Sequence, residues 1–136
     1  MSLRMERELG QDLVEYALVL PLFLLLILGI FEFSLLYFQY VTVANAAREA
    51  ARAGIVTPTE SCDQGCIDSR VRDAARRLTA GLAQDDLNVV ITHPSLDVIR
   101  VDVSYATALT TQPLIQAVGG DGSLTLRSSA SMHRER

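Results

Sequence analysis

The sequence predicts an α+β protein: a long N-terminal helix with a transmembrane part, then a small head with a second helix and a roughly three-stranded antiparallel sheet. Three observations predict it. From Leu13 to Val41 nearly every residue is apolar. From there to Leu82 the pattern is helical, rich in alanine and arginine, and broken near Gly54 and Thr57-Pro58. Beyond Leu87, apolar residues recur at every second position, the period of a strand with one buried face. The chain has 136 residues, room for one domain at most.

The first element rests on length. A helix crosses a bilayer with about 20 mostly apolar residues. Tyr16 to Phe38 supplies them, interrupted only by Pro21, Gly29, Glu32 and Ser34. Tyr16 at one end, and Tyr37 and Tyr40 at the other, fall where interfacial aromatic residues collect. The apolar core of a secretory signal is shorter, about 7–15 residues, and is followed by small residues at its cleavage site. Here Phe33 to Val41 is bulky, so the segment is expected to stay on the chain. Pro21 removes one backbone hydrogen bond and should bend the helix near Ala17 to Pro21. Gly29 offers a flat spot for a neighbouring helix, without a second glycine to complete a paired motif.

The helix should continue past the bilayer. "ANAAREAARAG" is rich in the best helix former and holds no proline. Val43 or Ala44, Ala47, Ala50 or Ala51, and Gly54 with Ile55 form a small-residue face, while Arg48, Glu49 and Arg52 take the solvent side. Gly54 is the expected stop. "IDSRVRDAARRLTAGL" follows as a second helix, with Ile67, Val71, Ala74, Leu78 and Leu82 as its apolar stripe. Asp68 or Ser69 is the expected N-cap and Gly81 the expected C-cap. Its arginines 70, 72, 76 and 77 read as a solvated face.

Three strands complete the head. "LNVVIT" (Leu87 to Thr92) precedes a break at His93-Pro94-Ser95. "DVIRVDVSY" alternates Ile99, Val101, Val103 and Tyr105 against Arg100, Asp102 and Ser104. "LTLRSSASM" (Leu124 to Met132) comes after the turn signal "GGDG". "LTTQPLIQAV" between the last two strands reads as a short helical turn or a partner-facing loop.

Composition narrows the function. The net charge is −4, and a nucleic-acid binder needs a basic footprint. Cys62 and Cys66 in "SCDQGC" lack the second pair that a four-ligand zinc site requires, and neither His93 nor His133 stands at a ligand spacing. A small disulfide ring suits them better and fits an oxidising compartment. No nucleophile, base or phosphate loop is spaced for catalysis. We therefore expect no enzyme, no cofactor, no metal and no small-molecule substrate.

Two acids break the apolar run. Glu15 opens it, and Glu32 lies 17 residues later, about 25 Å along a helix, near the outer edge of the hydrocarbon. Intramembrane acids are expensive and are placed where something pairs with them. If a peptidase on the cytoplasmic face cuts between Gly10 and Gln11, the new α-ammonium of one subunit can neutralise Glu15 of a neighbour and set the axial register. Glu32 is a candidate for pairing with a partner's arginine. Arg4 and Arg7 favour a cytoplasmic N-terminus against Arg48 and Arg52, and the cysteine pair decides for a head facing outward.

The residues carry a resemblance. "GQDLVEYAL" resembles the processing site of type IVb prepilins of the Flp/Tad kind, where cleavage after glycine precedes a Glu-Tyr or Glu-Phe pair, here Glu15 and Tyr16. The longer run from "LVEYALVLP" through "FEF" to "AAREAARAG" is similar to TadE-like minor pilins (pseudopilins), and "VDVSY…LTLRSSASM" resembles their ending. The resemblance implies a prepilin-type leader at residues 1–10, a transmembrane part at 11–40, and an extracytoplasmic α/β head at 41–136 that includes the helix extension to about residue 54. It implies a single-pass protein of the bacterial inner membrane that assists or enters an adhesive Tad pilus. Its partners would be a prepilin peptidase, other pilins and assembly platform proteins. The alternative is an uncleaved single-pass protein whose head binds a partner or ligand.

Overall fold

The structure is a computed structural model that describes residues 11–58, 60–95 and 97–134 in full, and of residues 2–10 the backbone alone. The chain divides into two compact units, one up to Leu35 and one from Leu36 onward. Helix α1 (Ser2–Val56) forms the first and contributes the opening element of the second.

In the first unit α1 runs through Pro21 without interruption of the helix. Residues 11 to 31 are all exposed, leucines and phenylalanines included. A helix apolar all round is made for lipid or for the inside of an assembly. Ser34 returns its hydroxyl to the carbonyl of Ile30 at 2.8 Å, so even this polar atom is satisfied within the helix.

In the second unit α1 acquires a buried stripe of small residues: Val43, Ala46, Ala47, Ala50, Ala51 and Gly54. The expected face is observed, extended by Ala46. Gly54 does not stop the helix, which ends at Val56. It is a packing notch instead. A Cβ there would lie 2.8 Å from Ile99 Cδ1 and 3.0 Å from Val71 Cγ2, so the missing side chain lets two later elements of the head pack close to the helix backbone.

Helix α2 (Gln64–Leu78) begins three residues before the expected Ile67. Its N-cap is Asp63, whose carboxylate accepts from the Cys66 backbone N–H at 2.9 Å, and neither Asp68 nor Ser69 takes that place. The buried line runs Ile67, Val71, Ala75, Thr79 and Leu82, while Leu78 is exposed and Ala74 only half-buried. The contact ridge thus steps by fours, and small Ala75, rather than Ala74, meets the core. Gly81 is not the C-cap either, since its φ is not positive. Thr79, fully buried, donates to the Ala75 carbonyl at 2.9 Å, and the Gln84 amide donates to the Thr79 carbonyl at 2.6 Å. These two side chains satisfy the groups a glycine turn would have served.

After a single 3-10 turn (Gln84–Asp86), strands β1 (Leu87–Ser95), β2 (Val98–Ala108) and β3 (Ser123–His133) form an antiparallel meander in the order β1-β2-β3. His93-Pro94-Ser95, expected as a break, stays within β1, although the register slips between Thr92 and Ser95. Proline is tolerated because β1 is an edge. The inner face of β2 is Ile99, Val101, Val103 and Tyr105, all buried as its alternation requires. Together with the α1 and α2 stripes, these residues make one core. Full burial of a valine such as Val71, Val101 or Val103 stabilises by about 1.5–3 kcal/mol.

The β2–β3 connection contains a short helix, α3 (Gln112–Ala117), and closes through Leu109 N–H donating to the Gly122 carbonyl at 3.0 Å. Gly122 has φ +62, and a Cβ on it would lie 2.9 Å from the Gln112 Cα. That turn requires glycine twice over, by conformation and by space.

Candidate functional site

The N-terminal segment is helical from before Gln11, so its side chains are arrayed at about 100° per residue. Asp12, Glu15, Tyr16 and Val19 consequently share one face, at i, i+3, i+4 and i+7, and all four are exposed. The helix places two carboxylates, an aromatic hydroxyl and an apolar contact side by side, with Gln11 exposed a turn before Glu15. Chemically this is an acceptor-rich patch at the head of an uncovered apolar rod, suited to a cation held beside packed helices. Asp12 was not singled out from the sequence, although its spacing from Glu15 was available. Gly10 and the expected leader at residues 1–10 lie outside the residues whose side chains are described.

Glu32 is half-buried. It is about 4.7 turns beyond Glu15 at 3.6 residues per turn, which puts the two acids on different faces. A single straight neighbour cannot serve both.

The remaining sites lie in the second unit. Cys62 and Cys66 are joined in a disulfide with Cα atoms 5.4 Å apart. The ring encloses Asp63 and holds that cap over the first turn of α2, with Cys62 itself buried in the core. His93 Nε2 lies 3.0 Å from Asp68 Oδ1, tying β1 to α2. Arg134 reaches the end of α1, its guanidinium donating to the carbonyls of Gly54 at 2.9 Å, Ile55 at 3.3 Å and Thr57 at 3.4 Å. Neither contact was legible in the sequence, since each joins residues distant along the chain. Beside α2, an open groove of about 530 Å³ mixes Glu49 and Asp73 with Arg70 and Arg77, so neither charge prevails. Among the described residues no three histidine, cysteine or acidic side chains gather as a metal site would need.

These features define a class: a small disulfide-bonded α+β head joined to a helix that is long and apolar enough to cross a membrane and is not buried within the protein. Compared with known families, the chain is similar to one over its N-terminal stretch: the model of the family described as TadE-like protein matches residues 10–52. The match begins at Gly10, spans the apolar segment and ends in the small-residue face of α1. It agrees with the TadE-like resemblance carried by the run from "LVEYALVLP" into "AAREAAR". Neither the comparison with curated proteins nor the comparison with solved structures returned a match.

Proposed function

We propose that this chain is a structural, non-enzymatic pilin-like subunit, a minor pilin or pseudopilin, in the assembly of a Tad-type adhesive pilus. In this reading a prepilin peptidase removes the leader after Gly10, and the apolar part of α1 holds the subunit in the inner membrane. The head faces outward, where the Cys62–Cys66 pair can oxidise. Partners are other pilins and the platform proteins that move them.

The observation that carries the reading is the exposed Glu15 face at the mouth of an uncovered apolar helix, within the TadE-like stretch. A carboxylate in lipid is costly unless paired. Cleavage before Gln11 creates a cation four residues from Glu15 along the same chain, and so at a comparable depth in a neighbour. Pairing the two neutralises both charges and fixes how far one subunit slides past the next. Intact mass and N-terminal peptide mass of protein purified from native membranes test the reading. A chain that begins at Gln11 is expected. A chain that keeps Met1 or Ser2 would favour the uncleaved single-pass reading and remove the cation on which the docking depends.

A further inference from the structure

The two edges of the sheet differ. β1 carries the devices that discourage strand addition: Pro94, a register slip between Thr92 and Ser95, and a tie from His93 to Asp68 of α2. β3 carries almost none. It pairs with β2 over eleven consecutive residues, Ser123 to His133, without a bulge. It holds no proline, and Arg127 is its only arginine or acid. Among the described residues β2 is the only strand that pairs with it. Eleven residues of regular edge with one arginine among them present a row of backbone donors and acceptors that a folded protein normally blunts.

The side chains of β3 say what fits there. Turned through two-fold symmetry, the strand overlaps itself over its full length only when Ser128 faces Ser128. In that register Leu126 meets Ala130 and Leu124 meets Met132 on the core-side face. Arg127 meets Ser129 and Thr125 meets Ser131 on the outer face. Apolar residues meet apolar, polar residues meet polar, and no arginine faces another. The longest overlap and the best match of faces coincide.

We propose that β3 is the seam of a homodimer, in which β3 of a second copy of this chain adds antiparallel about Ser128 and completes a six-stranded sheet. Backbone hydrogen bonds supply the attachment, and the polarity pattern on either side of Ser128 sets the register. This dimer uses the head alone and stands whether or not Glu15 docks subunits.

Cysteine cross-linking of the full chain in its native membranes tests it. Cα atoms directly opposite across an antiparallel pair are about 4.5–5.5 Å apart, within disulfide reach. Ser128→Cys should therefore give a covalent dimer under mild oxidation, with a 128–128 link in the peptide map. Ser131→Cys should not, because its two copies would stand about 20 Å apart at 3.4 Å per residue. A second pair of variants avoids the half-buried position. Ser129→Asp places a carboxylate opposite each Arg127 and should raise dimerisation roughly fivefold, while Ser129→Arg should lower it about as much. Sedimentation in detergent reads both without any added thiol. Equal linking at 128 and 131, capture of a different protein without a 128–128 link, or indifference to the charge at 129 each overturns the proposal.

Discussion

Gly54 sits where α1, α2 and β2 come closest, and its missing side chain is what admits Ile99 and Val71. Two effects oppose each other on substitution. Alanine gains about 1 kcal/mol of helix propensity over glycine, and the displaced Ile99 Cδ1 is the mobile end of its side chain. Gly54→Ala should therefore be close to neutral. Leucine adds three more carbons with no space to receive them, and overpacking of this kind costs about 3 kcal/mol. Urea unfolding of the detergent-solubilised full chain, followed by circular dichroism, should show that loss for Gly54→Leu and little change for Gly54→Ala. The sequence places Gly54 both on the small-residue face and as the helix stop; the first holds and the second does not, since the helix runs on to Val56. The distinction depends on what packs above the position, and that is set by residues 17 and 45 positions further on. That Glu15 and Tyr16 share an exposed face follows for the opposite reason: their relation is local to one helix. Asp63 is not legible as a cap because the apolar period begins only at Ile67, whereas the Asp63 carboxylate on the Cys66 N–H starts the helix at Gln64.

At the scale of elements, α2 depends on its ring. Cys62 fills part of the core, Cys66 is in the first turn, and Asp63 between them caps the helix. Closing so short a loop stabilises by about 2 kcal/mol on the chain-entropy account. The double variant Cys62→Ser, Cys66→Ser should lower the stability of the head by about that much, and Asp63→Ala by about 1 kcal/mol. The same unfolding measurement checks both. The strands were the most legible elements. Between Ile99 and Tyr105, β2 alternates Ile99, Val101, Val103 and Tyr105 with Arg100, Asp102 and Ser104, and a period of two has no helical counterpart. The ends were not: His93 and Pro94 were set aside as a break, although an edge strand accommodates both. The α2 ridge was displaced by one residue because Ala74 and Ala75 are chemically identical, and only the tertiary contact chooses between them.

At the scale of the molecule, the contrast is between a head that buries a core and a helical segment whose apolar residues are exposed. Everything from Leu13 to Leu35 needs an environment from outside the chain. If Glu15 is a docking group, Glu15→Ala should insert into membranes at least as well as the parent, since a carboxylate is removed from lipid. Its association with pilin partners should nevertheless fall, as co-purification from the membrane would show. Unchanged association and normal pilus assembly would set the docking role aside. The partner's position could not be read from the sequence, because it belongs to another chain.

The clasp made by Arg134 carries a consequence for biosynthesis. It donates to carbonyls 77, 79 and 80 positions earlier, so a residue translated after all three strands completes an element translated before them. While the ribosome is still adding β2, the carbonyls of Gly54, Ile55 and Thr57 have only water to turn to. The membrane-length part of α1 is made long before this clasp can close, and a chain cut short of residue 134 would leave the end of α1 without these three donors.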